Sequence, residues 1–175
     1  MSSHTPERII YSLWHIPRGV HYRRLTQAIQ HFSQACRTPA FEPHLTLLGG
    51  LTGREDHIIS QTARLAGLLH RYPIQLTTMS GLKEYFRCLF VSVEPTELVM
   101  TAGDQARDLF QHQDDPPYLP HVSLMYGDCD NQIKQAIIAR LGETFSGEFI
   151  TDSIYLYDTT GKPESWQRVR SFTLT

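Results

Sequence analysis

The sequence is poor in cysteine and carries no large excess of either charge. Its 175 residues include three cysteines, an odd number without a C-x-x-C pair, which argues against a disulfide framework or a zinc knuckle. The formal net charge is −2 and the pI is about 6.5, so the chain lacks the broad basic surface that long nucleic acids require. A small anionic ligand is compatible with this balance, because it needs only a local cluster of donors.

Long apolar runs and metal-ligand spacings are also absent. No segment approaches the roughly 20 apolar residues of a membrane span, and residues 1–10 do not resemble a signal peptide. The nine histidines form no H-E-x-x-H pattern and no close pair with acidic neighbours. We therefore expect a cytoplasmic protein with no membrane partner, no metal site and no cofactor.

The residues that are present predict a folded α+β protein. Hydrophobic residues make up 41% and charged residues 19%, the balance of a globular chain, and we expect residues 1–175 to form a single monomeric domain of two lobes. Apolar periodicity and turn residues predict strands at 9–16, 43–50, 74–77, 85–93, 148–157 and 166–174, and helices at 20–37, 52–72, 95–111 and 132–141. The hairpin predicted from 74–77 and 85–93 favours antiparallel pairing over a doubly wound sheet.

Three helix starts follow from local residues. Thr52 and Glu55 stand at capping-box spacing, Pro95 suits a first helical turn, and Asp130 is a good N-cap. The order of elements is similar in the two halves of the chain. The similarity predicts a pseudo-symmetric arrangement with one motif from each half.

The two motifs are PHLTLLGG at 43–50 and PHVSLMYG at 120–127. Chance alone gives about 1.4 His-x-Ser/Thr triplets in a chain of this composition, so a single match is weak evidence. A third triplet, His31-Phe-Ser33, lies inside a predicted helix, where residues two apart point in different directions. The other two share a preceding proline, an aliphatic residue after the histidine, and a leucine and a glycine at the same later positions.

Strand alternation gives each motif a chemical face. His44 and Thr46 point to one side of a strand, and His121 and Ser123 do the same in the second motif, while the intervening residues face the core. Two imidazoles and two hydroxyls that converge on a cleft suit in-line attack on a phosphodiester. One histidine takes a proton from water, the other gives a proton to the departing sugar oxygen, and the hydroxyls hold the non-bridging oxygens.

These motifs resemble the two-histidine (2H) phosphoesterase superfamily, which is marked by a pair of H-x-[T/S]-x motifs. The resemblance is to the plant and yeast type of cyclic phosphodiesterase, and three further stretches carry it: Tyr11-Ser-Leu-Trp-His-Ile-Pro17, Phe86-Arg-Cys88 and Tyr118-Leu-Pro-His-Val-Ser-Leu-Met-Tyr-Gly127. It implies a bilobal, pseudo-symmetric α+β fold with antiparallel sheets lining a central cleft and helices on the outside.

The resemblance also implies an activity and roles for residues. The activity is metal-independent hydrolysis of ribose cyclic phosphates: ADP-ribose 1″,2″-cyclic phosphate to ADP-ribose 1″-phosphate, and nucleoside 2′,3′-cyclic phosphates to 2′-phosphates. In similar enzymes the second histidine is usually the base and the first the acid, so His121 would activate water and His44 would protonate the leaving group. Aromatic residues would form walls around the base or ribose, and the candidates are Trp14, Tyr126, Phe86 and Tyr85.

Strand alternation leaves the positions of two of these aromatic residues ambiguous. Tyr126 lies five residues after His121, which is the opposite face of a regular strand, and Tyr85 competes with Phe86 because neighbouring strand residues face opposite ways. Arg87 and Arg18 are candidates to meet a second phosphate. Two other functions are compatible with the same motifs: an RNA-end-processing 2H enzyme (2′-5′ RNA ligase-like or RNA 3′-end phosphodiesterase) that acts on RNA termini or in tRNA joining and splicing, and a catalytically silent nucleotide-binding module.

Overall fold

The computed structural model describes residues 8–175, so the first seven residues of the predicted domain lie outside it. Within this range the chain forms eight strands and four α-helices. The strands are β1 (Tyr11–His15), β2 (Leu45–Leu51), β3 (Tyr72–Ser80), β4 (Leu89–Val93), β5 (His121–Met125), β6 (Gly147–Thr151), β7 (Ser153–Asp158) and β8 (Gln167–Thr173). The helices are α1 (Gly19–Cys36), α2 (Glu55–Leu68), α3 (Glu97–Phe110) and α4 (Asn131–Leu141).

All eight strands belong to one antiparallel sheet with the order β6-β3-β4-β5-β2-β1-β7-β8. The strands that carry the two motifs, β5 and β2, lie side by side at the centre of the sheet. On its outer side each is flanked by a strand from the same half of the chain, β4 beside β5 and β1 beside β2. Each half also packs a helix on the other half's motif strand, α1 on β5 and α3 on β2. The predicted α+β class, antiparallel pairing and pseudo-symmetry are confirmed.

The helices form where an apolar stripe meets a suitable end. In α1 the buried residues Leu25, Ile29 and Phe32 repeat at helical spacing and face the main apolar core. Asp130 caps α4 as predicted, because its Oδ1 accepts hydrogen bonds from the backbone N–H groups of Gln132 (2.8 Å) and Ile133 (3.3 Å).

Two predicted helix starts were wrong. Thr52 and Glu55 form no capping box: α2 begins after Arg54, Thr52 accepts from Arg8, and Glu55 accepts from the Tyr11 hydroxyl at 3.0 Å. Pro95 lies outside α3, whose N-cap is Thr96. Thr52 and Glu55 make tertiary hydrogen bonds in place of the capping box, and the Thr96 hydroxyl, not Pro95, marks the start of α3.

Two strand predictions also needed correction. The segment 85–93 is not one strand, because Tyr85–Arg87 forms a 3₁₀ turn and only Leu89–Val93 pairs with β3. The segment 148–157 divides at Asp152 into β6 and β7, which lie on opposite arms of the sheet. At this break the chain crosses from the arm of the sheet beyond β5 to the arm beyond β2.

No helix among residues 8–175 has both the length and the apolar character that crossing a membrane demands. Cys36, Cys88 and Cys129 are all free thiols, and Cys88 is buried.

Candidate active site

The two motif strands are neighbours at the centre of the sheet. β2 and β5 pair antiparallel through Leu45 and Val122, the residues that directly follow the two histidines. In this register position 44 lies across from position 123, and position 46 lies across from position 121. Leu45 and Val122 point into the apolar core, so the two histidines and the two hydroxyl residues share the other face.

That face forms the floor of a cleft of about 570 Å³. The cleft is lined by His44, Thr46, His121 and Ser123 together with Trp14, Phe86 and Tyr126 from the predicted set. The pairing of β2 with β5 therefore brings into one cavity two motifs that are far apart in the sequence. In the described part of the chain, no three His, Cys, Asp or Glu side chains group as metal ligands.

The two histidines are oriented in the same way. His44 Nδ1 lies 2.6 Å from the carbonyl oxygen of Glu42, and His121 Nδ1 lies 2.7 Å from that of Leu119. A carbonyl oxygen only accepts, so each Nδ1 carries a proton and each neutral ring keeps its lone pair on Nε2. The prolines that precede both histidines restrict residues 42 and 119 to extended conformations, which limits the directions available to the two carbonyl groups.

Burial favours the neutral form of both imidazoles. It lowers the pKa of His44 to about 4, against the opposing effect of the Glu42 carbonyl, and the nearby His121 lowers it further. Burial likewise lowers the pKa of His121, although the Leu119 carbonyl and Glu84 oppose this. Both rings are thus neutral near pH 7 in the free protein. The β2–β5 register places the two rings on one face of neighbouring strands, which accounts for the effect of His121 on His44.

The hydroxyl residues differ in their contacts. Ser123 is buried, and its Oγ donates to the backbone carbonyl of Phe86 at 3.0 Å. Thr46 is half-buried and lines the cleft. Ser123 therefore ties the 3₁₀ turn that carries Phe86 to the floor of the cleft.

The predicted aromatic residues occupy three different places. Trp14 is buried beneath His44, with ring centroids 3.6 Å apart and planes 9° from parallel, so it supports the imidazole. Tyr126 is also buried, and its hydroxyl lies 3.4 Å from His44 Nε2. Phe86 is 55% exposed at the mouth of the cleft.

The conflict between strand alternation and Tyr126 disappears in the structure. β5 ends at Met125, so Tyr126 lies beyond the strand and the alternating pattern does not apply to it. Tyr85, by contrast, does not line the cleft, although it was a candidate for its wall. The 3₁₀ turn directs Tyr85 into a neighbouring depression, while Phe86 faces the cleft.

Trp166 is a cleft residue that the sequence reasoning missed. Its ring lies 5.7 Å from Trp14, 6.4 Å from His44 and 6.5 Å from Phe86, where the planes are 29° from parallel. It follows a 3₁₀ turn (Pro163–Ser165) just before β8, far from either motif. An aromatic residue beside a proline-containing turn was the only local signal.

The two arginines considered for a second phosphate are separated by the fold. Arg87 lines the cleft and forms an ion pair with Glu84 at 2.5 Å. Arg18 forms an ion pair with Asp152, also at 2.5 Å, and is not a lining residue. Of these two arginines, only Arg87 is placed to meet a ligand in this cleft.

The chain also resembles known proteins in sequence. A family model described as "Cyclic phosphodiesterase-like protein" matches residues 9–174. A cyclic phosphodiesterase of Arabidopsis thaliana is 25% identical over 126 residues, which are 72% of this chain and 70% of that protein.

Solved structures show the same fold at low sequence identity. E. coli LigT complexed with 3′-AMP superposes with a TM-score of 0.69 at 14% identity, covering 97% of this chain and 99% of LigT. The protein TT0787 of Thermus thermophilus gives a TM-score of 0.65 at 16% identity, covering 94% of this chain and 97% of that protein. At these identities the likeness concerns the fold alone.

Proposed function

The chain belongs to the cyclic phosphodiesterase-like family, within the 2H phosphoesterase superfamily, and we propose that it hydrolyses ribose cyclic phosphates. Family membership makes the chain a phosphodiesterase that hydrolyses phosphoesters. The substrates we propose are ADP-ribose 1″,2″-cyclic phosphate, opened to ADP-ribose 1″-phosphate, and nucleoside 2′,3′-cyclic phosphates, opened to 2′-phosphates. The observation that carries the proposal is the β2–β5 register, which puts both His-x-Ser/Thr motifs on the floor of one cleft.

The proposed reaction uses the two Nε2 atoms in turn. His121 Nε2 takes a proton from water as the water oxygen attacks phosphorus, and the bond from phosphorus to the leaving ribose oxygen breaks. His44, protonated at Nε2 once the anionic substrate is bound, gives that proton to the ribose oxygen, which becomes a hydroxyl group of the product and not an alkoxide. Thr46 and Ser123 donate to the non-bridging oxygens, and Ser123 gives up its hydrogen bond to the Phe86 carbonyl to do so.

The surroundings of the two rings support this division of roles. His121 is the less buried of the pair, so water reaches it more easily. His44 lies flat on the indole of Trp14, an arrangement that stabilises an imidazolium through cation–π attraction. The low pKa of His44, about 4, describes the free protein, and a bound phosphate anion opposes the effect of burial and favours protonation.

The experiment is a phosphorus NMR assay with ADP-ribose cyclic phosphate and all four 2′,3′-cyclic nucleotides in excess EDTA. His44→Ala and His121→Ala are each expected to lower kcat by about 10² to 10⁴ because one proton transfer is lost. His31→Ala is the matched control, since His31 begins the third His-x-Ser triplet but lies exposed on α1. Wild-type turnover in either cleft variant, or a rate that EDTA abolishes, would contradict the proposal.

A further inference from the structure

Glu42 is joined to His44 through its backbone. Its carbonyl oxygen accepts the His44 Nδ1 hydrogen bond at 2.6 Å, and the segment between α1 and β2 that carries it has no regular secondary structure. No helix or strand ladder therefore fixes this carbonyl group. The direction of the His44 ring depends on whatever else holds residue 42.

The carboxylate of Glu42 makes contacts with three separate elements. Oε1 accepts a hydrogen bond from the Tyr22 hydroxyl of α1 at 3.2 Å, and Oε2 accepts one from the Tyr157 hydroxyl of β7. Arg168 of β8 lies 3.4 Å from Oε1 and also donates to the Tyr157 hydroxyl at 3.1 Å. These contacts fasten a loop residue to the sheet and to a helix.

Tyr157 contacts both Trp14 and Glu42, and so connects the two supports of His44. Its aromatic ring stacks on the Trp14 indole with centroids 3.9 Å apart, and the His44 imidazole also stacks on that indole, with centroids 3.6 Å apart. The hydroxyl of Tyr157 holds the Glu42 carboxylate, and the Glu42 carbonyl holds His44. The imidazole is thus fixed both at its Nδ1 and across its flat face by one connected group of side chains.

In the described part of the chain, the carbonyl that orients the second histidine lacks an anchor of this kind, although the ring of Phe90 lies 5.0 Å from that of His121. The carbonyl that receives its Nδ1 hydrogen bond belongs to Leu119, whose apolar side chain is 44% exposed. A leucine offers no polar group that could fasten its residue to other elements. The two motifs match in sequence, but the residue whose carbonyl accepts from His44 is held by polar contacts of its own side chain, and the residue whose carbonyl accepts from His121 is not.

We propose that Glu42 is a positioning residue that fixes the direction of His44 Nε2 through the chain of contacts Tyr157–Glu42–His44. The inference rests on the proposed function, since it gives His44 a reacting atom whose direction matters. Misplacing a reacting group by about 1 Å can cost on the order of 10² in rate. The loss therefore falls on kcat and not on substrate affinity.

The test is Glu42→Ala, which keeps the carbonyl but removes its anchor. We expect kcat to fall about 10- to 100-fold with KM changed less than about threefold. Nitrogen-15 NMR of the histidine side chains supplies a readout independent of turnover: His44 should change from a single Nδ1–H tautomer to a mixture, while His121 stays as it was. Glu42→Gln keeps the shape and an acceptor oxygen, so it should recover most of the lost activity.

Controls separate this inference from the proposed function. Asp152→Asn removes a carboxylate from another ion pair, outside the cleft, and should leave both kcat and the His44 tautomer unchanged. If His44→Ala keeps full turnover, the proposed function fails. If His44→Ala is inactive while Glu42→Ala matches wild type in kcat and in the His44 NMR signal, only the role of Glu42 is overturned.

A second variant decides the matter if Glu42→Ala does not fold. Tyr157→Phe keeps the stack on Trp14 and removes only the hydroxyl that holds Glu42. A roughly 3- to 10-fold loss of kcat with the same change in the His44 tautomer supports the proposal. Unchanged kcat and an unchanged His44 signal overturn it.

Discussion

At the scale of single residues, the two histidines are less alike than their motifs. Both line the cleft, and both donate from Nδ1 to the carbonyl two residues earlier. His44 is 4% exposed and stacked on Trp14, whereas His121 is only partly buried. A nearly symmetric sequence therefore yields an asymmetric site, as expected if one ring is to give a proton and the other to accept one.

The asymmetry leads to a prediction about the leaving group. A thiolate leaves without a general acid, so an analogue of a 2′,3′-cyclic nucleotide with sulfur in place of the departing ribose oxygen bypasses the acid step. His44→Ala should lose about 10² or more in kcat on the oxygen substrate but less than about tenfold on the sulfur analogue. His121→Ala should lose a similar factor on both.

Steady-state rates of the two variants on the two substrates check this assignment. The reverse pattern, with activity restored in His121→Ala and not in His44→Ala, would exchange the roles of acid and base and leave the two-histidine reaction intact. Equal losses on both substrates in both variants would mean that neither ring acts as the acid.

At the scale of elements, α3 illustrates how a helix supports the cleft. Gly103 lies on the buried side of α3, against the ring of Tyr118, and the Tyr118 hydroxyl donates to the backbone carbonyl of Thr46 at 3.0 Å. A Cβ on Gly103 would lie 2.6 Å from a ring carbon of Tyr118. Glycine is therefore required here for close approach, although it weakens a helix.

Two glycine substitutions should consequently have opposite effects on stability. Gly103→Ala gains about 1 kcal/mol of helix propensity but pushes Tyr118 away from β2, and such overpacking costs about 1–3 kcal/mol, so the free energy of unfolding should fall by up to about 2 kcal/mol. Gly67→Ala, on α2 where the new methyl meets nothing within 4 Å, should raise it by about 0.5–1 kcal/mol.

Urea denaturation of the two variants beside wild type measures both effects. A rise in stability for Gly103→Ala would show that Tyr118 adjusts without cost and that the close contact does not matter. Kinetics on the same variant would then show whether the Tyr118–Thr46 link contributes to the cleft.

Local sequence predicted most elements but failed where tertiary contacts decide. The stripe at Leu25, Ile29 and Phe32 and the cap at Asp130 are local features, and both predictions are confirmed. Tyr85 and Phe86 have good strand propensity, yet they form a 3₁₀ turn whose carbonyl at Phe86 binds Ser123. The partner lies on another strand, so no local pattern could reveal the turn.

At the scale of the whole molecule, the buried His15 links the two arms of the sheet. Its Nε2 accepts from the Tyr72 hydroxyl of β3 at 2.8 Å, and its Nδ1 lies 2.9 Å from the Ser153 carbonyl of β7 and 2.9 Å from the Thr151 hydroxyl of β6. Two of these partners, Thr151 and Ser153, flank Asp152, where the chain passes from one arm of the sheet to the other. Burial lowers the pKa of His15 to about 4.

This histidine should make the fold sensitive to acid. The unfolded chain binds the proton near pH 6.5 and the folded chain only near pH 4, so the stability from neutral His15 is complete above pH 6.5 and is lost as the pH falls toward 4. At pH 5 the loss amounts to about 2 kcal/mol. His44 and His121 add effects of the same sign.

Urea denaturation at pH 7.5 and at pH 5 measures the effect. His15→Gln should be less stable than wild type at pH 7.5 but should lose about 2 kcal/mol less on acidification. His31→Gln, which alters an exposed histidine, should follow wild type at both pH values. An acid response in His15→Gln equal to that of wild type would assign the sensitivity to other groups.

Helical stripes, strand alternation and a repeated motif all lie in residues close together in the chain, so the α+β class, the antiparallel pairing and the four polar residues of the motifs could be predicted without a structure. Four features depend instead on the three-dimensional packing: Tyr126 reaches His44, Tyr85 lies outside the cleft, Trp166 joins the cleft wall, and the Glu42 carbonyl accepts from His44. Those contacts join residues from different elements, and their formation depends on how strands β2 and β5 pair and on where each strand ends. A motif can specify which side chains share a strand face, but the packing of distant elements sets the direction in which each side chain points.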